Sequence, residues 1–278
     1  MGGAGPPRRR APQDGVCCGR GGAPRGACVY PALQFHPFGF EISTFGILVA
    51  LGFLVAGWVF AAALARAGSD ADASSILFWA MVGGLLGSKL WFVGEMAFRE
   101  PDLPLLPFLF SRGGLTWYGG LVGGAVAVIT AGYRQGVPLR VLTSCAGPAL
   151  TVGQMFGRIG CFLVGDDYGY PTDLPWGIAF PKGAPPVEVP VHPTMLYEAA
   201  WLGFISLVLW RRQERSPYLF GEYLVLAGLG RFFDEMLRIN PPLVGPFSNA
   251  QVTALVSIVA GAALWLHFRL SRQPLESP

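Results

Sequence analysis

Residues 42–65 read ISTFGILVALGFLVAGWVFAAALA, a run without a single charged side chain. A helix needs about 20 mostly apolar residues to cross a bilayer. This stretch is long enough to span, and it predicts an integral membrane protein. The composition agrees, because 52% of the 278 residues are hydrophobic and 13% are charged, against about 25% charged residues in an ordinary soluble protein.

Six further apolar stretches follow the first one along the chain. The seven candidate spans are 42–65, 74–97, 114–132, 141–164, 194–211, 218–237 and 249–268, of which the fifth is short and the sixth carries charge. Helices satisfy their own backbone hydrogen bonds in lipid. We therefore predict an all-α integral membrane fold, a seven-transmembrane-helix bundle with a polar, outward-facing cavity.

The two ends of the chain differ from this domain in composition. Residues 1–35 are rich in Gly, Pro and Arg with no apolar run, which predicts a disordered tail. Residues 36–270 form the predicted transmembrane domain, with 165–193 as an outer loop, and 271–278 form a short cytoplasmic tail. The five cysteines match no zinc spacing, so we expect no disulfide framework or metal site.

The positive charges of the short loops predict the orientation, because cytoplasmic loops carry an excess of Lys and Arg. One set of loops plus the C-terminus holds eight: Arg66, Arg134, Arg140, Arg211, Arg212, Arg215, Arg269 and Arg272. The opposite set holds four: Arg99, Arg112, Lys182 and Arg238. This difference predicts an outside N-terminus and a cytoplasmic C-terminus, although five arginines of the tail argue the other way. The loop 165–193 then faces outward.

Charged residues inside the apolar stretches are the strongest sign of function. Arg158 lies in the fourth candidate span, Arg231 in the sixth and Lys89 in the second. A charge at the bilayer centre costs about 2.5–3.5 kcal/mol on insertion scales, so such residues usually face a bundle interior. Lys89 is equally well explained by snorkelling. Arg231 and Glu235 have the i, i+4 spacing of a pair on one helix face.

Two intramembrane arginines near the outer face predict a phosphate ligand. Guanidinium binds phosphate oxygens in bidentate fashion, and the most abundant phosphate of a bilayer is the lipid headgroup. Asp166 and His192 lie in or beside the outer loop, and Tyr197 and Glu198 begin the fifth span. We therefore expect an anionic lipid in a polar cavity and no nucleic-acid partner.

Small residues occur in several spans at GxxxG spacing, as in Gly119/Gly123, Gly120/Gly124 and Gly153/Gly157. Such pairs let helices approach closely. For most of these glycines, tight helix packing is the better explanation than a ligand.

Several motifs in a fixed order resemble those of the prolipoprotein diacylglyceryl transferase family. Gly113–Gly120 (GGLTWYGG) is similar to its GGLSxHGG segment, and Gly157–Phe162 (GRIGCF) with Gly165 and Asp166 to its GRxGNFxNGE signature. Pro171–Gly177 (PTDLPWG) matches a further family stretch, and His192–Glu198 (HPTMLYE) resembles HPSQLYE. Arg231 and Phe232 with Glu235 and Arg238 resemble RFxxExxR. Together the motifs cover roughly residues 40–268.

The resemblance implies a seven-helix enzyme of the bacterial cytoplasmic (inner) membrane. Such an enzyme moves the diacylglyceryl group of phosphatidylglycerol onto the lipobox cysteine of a prelipoprotein signal peptide, without a cofactor. The candidate catalytic residues are then Arg158, Arg231, Tyr118, Asp166, Glu235 and His192. The candidate substrate-binding residues are the two arginines with Gly113, Gly114, Gly119, Gly120, Cys161, Gly165, Tyr197 and Glu198.

The chain departs from the family pattern at several of these positions. The family His of HGG is Tyr118, the Asn after GRxG is Cys161 and the Glu that ends the motif is Asp166. An unperturbed Tyr has a pKa of about 10, against about 6.5 for His, so it is a poor base at neutral pH. Two alternatives stay open: a member that binds lipid or lipoprotein without transfer or modifies another acceptor, and a small membrane transporter.

Overall fold

The computed structural model describes residues 27–28, 44–100, 106–109, 114, 116–216 and 218–271. Within them the chain is mostly helical. Seven helices have 17 to 27 residues: α1 (Thr44–Arg66), α2 (Ala73–Arg99), α4 (Trp117–Arg134), α5 (Leu139–Val164), α6 (Thr194–Arg212), α7 (Leu219–Glu235) and α8 (Asn249–Leu270). The eighth, α3 (Leu106–Leu109), is a single turn of 4 residues.

Helices α1 and α5 pack closely along their length, and small residues make this possible. Gly52 of α1 faces Phe156 of α5, so that a Cβ on the glycine would collide with the Cβ of Phe156. The core around these helices contains Phe60 and Leu64 of α1 and Leu142 and Val152 of α5, among other buried apolar residues. Burying such side chains is worth about 1.5–3 kcal/mol each.

Helices α2 and α4 approach backbone to backbone. Gly83 and Gly87 of α2 face Gly119 and Gly123 of α4, and a Cβ on any of them would overlap the opposite helix. This is the close packing that GxxxG pairs permit. The packing explanation of Gly119/Gly123 therefore agrees with the structure, whereas Gly157 has open space around its Cα.

Helices α6, α7 and α8 form the other side of the molecule. Ile205 and Leu209 of α6 are buried against Leu219 and Tyr223 of α7. Helix α8 lies against α7 where Gly221 and Gly261 face each other. Its first turn is closed by a capping box of Ser248 and Gln251, which satisfies two amides that would otherwise have no acceptor.

Short strands occupy the connections on one side of the bundle. β2 (Ile178–Phe180) pairs antiparallel with β3 (Val187–Val191) and parallel with β1 (Ala27–Cys28), and β4 (Pro242–Val244) pairs with β5 (Phe247–Ser248). Phe180, Val191 and Met195 are buried together and hold the β2–β3 loop onto α6. The predicted outer loop 165–193 is thus folded and contains β2 and β3.

The apolar surface agrees with a membrane environment. Three helices, α1, α2 and α8, are long and apolar enough to cross a bilayer. Large apolar side chains project outward from them, among them Leu54, Trp58, Leu86, Leu90, Val256 and Val259, each at least 58% exposed. Helices α5 to α7 carry the charged residues predicted to be functional, which lowers their mean hydropathy. Each of the seven predicted stretches overlaps one of the seven long helices.

Some sequence predictions concern residues outside the described ranges. The predicted tails, 1–35 and 271–278, lie there except for Ala27–Cys28, which form β1, and Ser271, which ends α8. Gly113 and the two tail cysteines Cys17 and Cys18 also lie there. Of the described cysteines, Cys145 and Cys161 are free thiols.

Candidate functional site

The end of α5 brings Arg158 against the loop that follows. Gly165 caps the helix in the left-handed conformation (φ 71°), and its amide donates to the carbonyl of Cys161. Glycine adopts this conformation without the Cβ penalty. Asp167 is also left-handed (φ 60°), so the chain reverses and places its Oδ2 2.9 Å from Arg158 Nη1.

Glu198 joins two arginines that come from different helices. Its Oε2 lies 3.0 Å from Nε of Arg158 on α5 and 3.1 Å from Nη1 of Arg231 on α7. The Glu198 side chain is only 10% exposed. The structure therefore brings together the two predicted phosphate-binding arginines, with a carboxylate oxygen between them.

Helix α7 adds a stripe of charged residues one turn apart. Arg231 Nη2 lies 2.9 Å from Glu235 Oε2, the i, i+4 pair expected from the sequence. Glu235 is buried, and its Oε1 accepts hydrogen bonds of 2.7 Å from both Asn240 and Ser248. These donors fix the Glu235 carboxylate, which in turn orients Arg231.

Arg238 and Asp234 complete the cluster. Arg238 is buried and forms an ion pair with Asp167 through Nη2, while its Nε lies 3.6 Å from Glu235. Asp234 is also buried, and Arg231 Nη1 lies 3.8 Å from its Oδ2. We call this group the arginine cluster: Arg158, Arg231, Arg238, Asp167, Glu198, Asp234 and Glu235.

Cys161 and Asp166 lie beside the cluster. The Cys161 sulfur lies within 4.8 Å of an Asp166 carboxylate oxygen, and burial raises the pKa of Asp166 above the ordinary value of a carboxyl. Donor atoms of Cys161, Asp166 and Asp167 lie within 4.8 Å of one another, which is close enough for a metal ion. Asp167 is already paired with two arginines, so the charge that a cation needs is largely compensated.

His192 belongs to a second, aromatic group. Its Nδ1 lies 3.3 Å from the Tyr197 hydroxyl, which also accepts a 2.8 Å hydrogen bond from Trp176 Nε1. Among the described residues no hydrogen bond or ion pair joins His192 to Arg158 or Arg231. Its backbone is nevertheless close to the cluster, because the amide of Gly169, which forms an isolated β-bridge with Arg238, donates to the His192 carbonyl.

Tyr118 reaches the cluster through helix α8. Asn249 Nδ2 donates to the Tyr118 hydroxyl at 3.2 Å, and the preceding residue, Ser248, donates to Glu235. The Tyr118 ring lies against Trp117 and Trp91, and the residue is 45% exposed. The position of the family His is therefore at the rim of the site, on the side of α4.

The predicted glycines occupy different places. Gly119 is buried against the α2 backbone, and Gly120 lies in the same interface but less tightly. Gly114 is left-handed (φ 72°), with its Cα against an aromatic ring of α2.

Lys89 of α2 donates to the Phe108 carbonyl at 3.4 Å.

Several members of the cluster were not among the predicted site residues. These members are Asp167, Asp234 and Arg238. Their ion pairs link the loop after α5 to the end of α7 or join residues near that end. Ser248 and Asn240 support Glu235. The i, i+4, i+7 spacing of Arg231, Glu235 and Arg238 was the available signal for Arg238. Asp167 is a charged residue of the outer loop directly after Asp166, and this position was a weaker signal.

Two cavities lie away from the cluster. One, of about 360 Å³, is lined by the α1–α2 and α4–α5 turns, including Asp70, Gln135 and Val141. Val141 and Arg158 are 17 positions apart on α5, a rise of roughly 25 Å. The other, of about 330 Å³, has an apolar lining beside Tyr133 and Leu139. At Arg158 and Arg231, the acceptors within the described residues are the chain's own carboxylates.

The cluster has the chemistry of an anion site that is occupied by internal counter-ions. The side chains of Arg158 and Arg231 are 24% and 23% exposed, so both can reach a ligand. Preorganised guanidinium groups in a partly dry site stabilise developing negative charge more strongly than in water. A phosphate that replaced Glu198 between the two arginines would keep their hydrogen bonds.

Comparison with known proteins gives the same family as the motifs. The sequence profile described as prolipoprotein diacylglyceryl transferase matches residues 32–267. Three relatives named phosphatidylglycerol–prolipoprotein diacylglyceryl transferase illustrate the likeness. The protein of Rhodospirillum centenum is 33% identical over 260 residues, 85% of this chain and 90% of the relative. That of Gloeobacter violaceus is 32% identical over 256 residues, with 86% and 93% covered.

The third relative, from Geobacter sulfurreducens, is 31% identical over 239 residues, which cover 81% of this chain and 90% of the relative. The region matched by the family profile, residues 32–267, includes every residue of the arginine cluster. Because both the profile and the relatives span most of the sequence, this chain belongs to the prolipoprotein diacylglyceryl transferase family.

Proposed function

We propose that this protein transfers the sn-1,2-diacylglyceryl group of phosphatidylglycerol to the lipobox cysteine of prelipoproteins. The thiol sulfur forms a thioether bond to the glyceryl carbon, and the bond from that carbon to the phosphate oxygen breaks. Glycerol phosphate leaves, and the thiol proton passes to a base or to the leaving phosphate. The names of the relatives support both substrates.

One observation carries the proposal, the meeting of Arg158 and Arg231 at a single acceptor oxygen. Two guanidinium groups from separate helices are held where one phosphate could take hydrogen bonds from both. Negative charge builds on the phosphate as its ester bond breaks, so the same contacts strengthen in the transition state. A site with one arginine would bind the lipid but would give less of this stabilisation.

Proton transfer has three candidates, of which none is directly bonded to either arginine among the described residues. Asp166 lies beside the Cys161 thiol and has a raised pKa through burial, which suits a carboxylate for accepting a proton. His192 is oriented by the Tyr197 hydroxyl. Tyr118 stands in the position of the family His. We propose Asp166 and His192 as the stronger pair of candidates.

The membrane arrangement belongs to the same proposal. All seven long helices cross the bacterial inner membrane, with the N-terminus outside and the C-terminus in the cytoplasm. The arginine cluster then lies at the outer face, where exposed aromatic residues such as Trp117, Tyr170 and Trp176 suit the interface. The apolar signal peptide enters laterally between helices and presents its cysteine at the outer surface.

Transfer in vesicles tests the proposed reaction. The purified full chain is incorporated into phosphatidylglycerol vesicles with a lipobox peptide, and mass spectrometry follows the peptide. We expect a mass gain of one diacylglyceryl group with phosphatidylglycerol and none with phosphatidylcholine vesicles or with a Cys→Ser peptide. A peptide that stays unmodified while the protein is folded would contradict transfer. Rescue of a bacterium depleted of its own transferase is the matching test in cells.

A second function, binding without transfer, is supported by one specific observation. The family His is Tyr118, and its hydroxyl is engaged by Asn249. A member of this kind would bind phosphatidylglycerol and the signal peptide but give no thioether. The vesicle experiment separates the two functions, because binding with no mass gain identifies the second.

A further inference from the structure

The arginine cluster holds more acidic than basic groups. Its described members are three arginines and four carboxyl residues, which gives a formal charge of −1 when all are ionised. Asp166, beside the cluster, adds a further carboxyl. A phosphodiester headgroup brings another negative charge. Uncompensated charge is costly in a partly dry site, so anion binding here needs a compensating change.

One carboxyl of the cluster differs from the others. Glu198 and Asp167 each pair with two arginines, and Glu235 has two neutral donors besides its arginines. Asp234 is 7% exposed, and within the described part of the chain neither of its oxygens has a hydrogen-bond partner. Its nearest ion-pair partner is Arg231, at 3.8 Å.

The charged groups around Asp234 come from several elements. They are Arg231 and Glu235 on α7, Arg238 after α7, Glu198 on α6, Arg158 on α5 and Asp167 in the loop after α5. Within the described ranges, no histidine makes a hydrogen bond or ion pair to this group. Protonation of Asp234 would break no hydrogen bond and would weaken only its 3.8 Å pair with Arg231, whereas protonation of any of the other three would weaken closer ion pairs.

We propose that Asp234 is the proton-exchanging residue of the headgroup site and takes up a proton when an anionic phosphodiester binds. This inference rests on the proposed function and deepens it. The phosphate takes the place of Glu198 between Arg158 and Arg231, and the displaced carboxylate stays near Asp234. A neutral Asp234 removes the repulsion that would otherwise oppose both events.

Calorimetry on the full chain in a phosphate-free detergent measures this coupling. Dioctanoyl phosphatidylglycerol is titrated at mildly alkaline pH in buffers of different ionisation enthalpy, so that the slope of the observed heat gives the protons exchanged. For the wild type we expect uptake of about 0.5–1 proton per lipid and an affinity that falls up to about tenfold per pH unit on the alkaline side. A slope near zero would overturn the inference.

Two variants assign the proton to a residue. Asp234→Asn should bind the lipid with little proton uptake and a flat pH dependence. Glu95→Gln makes the same kind of change in an exposed ion pair with Arg99 and should behave as the wild type. Unchanged uptake in Asp234→Asn, or loss of uptake only in Asp166→Asn, overturns the assignment. If Asp234→Asn fails to fold, a wild-type proton count near zero or loss of uptake in Asp166→Asn still overturns the inference.

The outcome is separate from that of the transfer assay. Proton-coupled binding by a protein that gives no thioether would reject the proposed reaction and keep the role of Asp234. Transfer by a protein that binds phosphatidylglycerol without proton uptake would keep the proposed reaction and reject the role of Asp234. Absence of any binding would reject both.

Discussion

The two ends of α6 carry arginine–carboxylate networks that are built in opposite ways. At its C-terminal end, Arg212 binds Glu222 with two hydrogen bonds of 2.7 and 2.8 Å. Ser216 and Trp265 also donate to Glu222, at 2.8 and 3.3 Å. We call this the Glu222 network. Each charge has a matched partner, and both carboxylate oxygens are satisfied.

The arginine cluster at the other end of α6 is not matched in this way. Arg158 and Arg231 share one oxygen of Glu198. Within the described residues, Asp234 has no hydrogen donor and Nη1 of the buried Arg238 has no acceptor. Buried polar groups are normally satisfied, and the exceptions need an explanation. We infer that the Glu222 network stabilises the fold and that the cluster is kept incomplete for a ligand.

The largest expected effect comes from removing an arginine at each end. Arg158→Ala and Arg231→Ala should each lower transfer by about 10³-fold, near 4 kcal/mol, because each removes a donor to the developing phosphate charge. Arg212→Ala, at the matched end, should leave the activity of folded protein within about threefold, because it touches no substrate. The measurement is the rate of thioether formation on a lipobox peptide.

Arginine-to-lysine changes sharpen this result. Arg158→Lys should recover little activity, because an ammonium lacks the planar fork of guanidinium, whereas Arg212→Lys should be nearly silent. Full activity in Arg158→Ala would show that the phosphate lies elsewhere.

Removing the charge of Glu198 should change the kinetics, whereas removing the charge of Glu222 should change the stability. Glu198→Gln should lower KM for phosphatidylglycerol, because the lipid phosphate then competes with a weaker internal partner of the arginines. It should also lower kcat about tenfold, because the two arginines are no longer held in position. Glu222→Gln should destabilise the protein by roughly 2 kcal/mol and leave kcat unchanged. Steady-state kinetics and thermal unfolding of both variants check this pair. The same response in both would remove the distinction between the networks.

Restoring the family residue at the rim of the cluster should raise activity. Tyr118→His should increase kcat about fivefold, because a nearby imidazole can accept a proton at neutral pH. The pH–rate profile should gain an acidic limb near the ordinary histidine pKa of about 6.5. Tyr133→His, on the same helix and 82% exposed, is the matched control and should change nothing. Loss of activity in Tyr118→His would indicate that the chain has replaced the family geometry.

The smallest effect concerns stability and pH. Burial raises the pKa of Asp166 in the folded protein, so the folded state holds this proton more tightly than the unfolded state. Its contribution to stability is fully present below the ordinary carboxyl pKa and is lost as pH rises through the raised value. Asp166→Asn should therefore remove that decline in Tm. Asp70→Asn, in an exposed turn, should leave the decline in place.

Much of the helical fold could be predicted from the sequence, because length and hydropathy mark apolar helices directly. The predicted stretch 74–97 corresponds to α2 (Ala73–Arg99) and 249–268 to α8 (Asn249–Leu270). The strands within 165–193 were not predicted. They are short and packed on α6, as Phe180 and Met195 show, so tertiary contacts rather than a sequence period define them.

Site residues could be predicted where a charged side chain occurs in an apolar helix. An arginine in an apolar helix is costly unless it is paired, which marked Arg158 and Arg231. The pairing of Asp167 with Arg238 depends on a left-handed turn after α5, which residue spacing does not specify. The separation of His192 from the arginines likewise depends on where the β2–β3 layer places its ring.

In the proposed function, Arg158 and Arg231 together contact one lipid phosphate. Solid-state NMR with ¹⁵N-labelled arginine and dioctanoyl phosphatidylglycerol in phosphate-free detergent measures nitrogen–phosphorus dipolar couplings. We predict guanidinium nitrogens within about 4 Å of the phosphorus, with a signal that falls in part in Arg158→Lys, in part in Arg231→Lys and fully in the double variant. Couplings that persist in the double variant, or depend on one arginine alone, would contradict the claim.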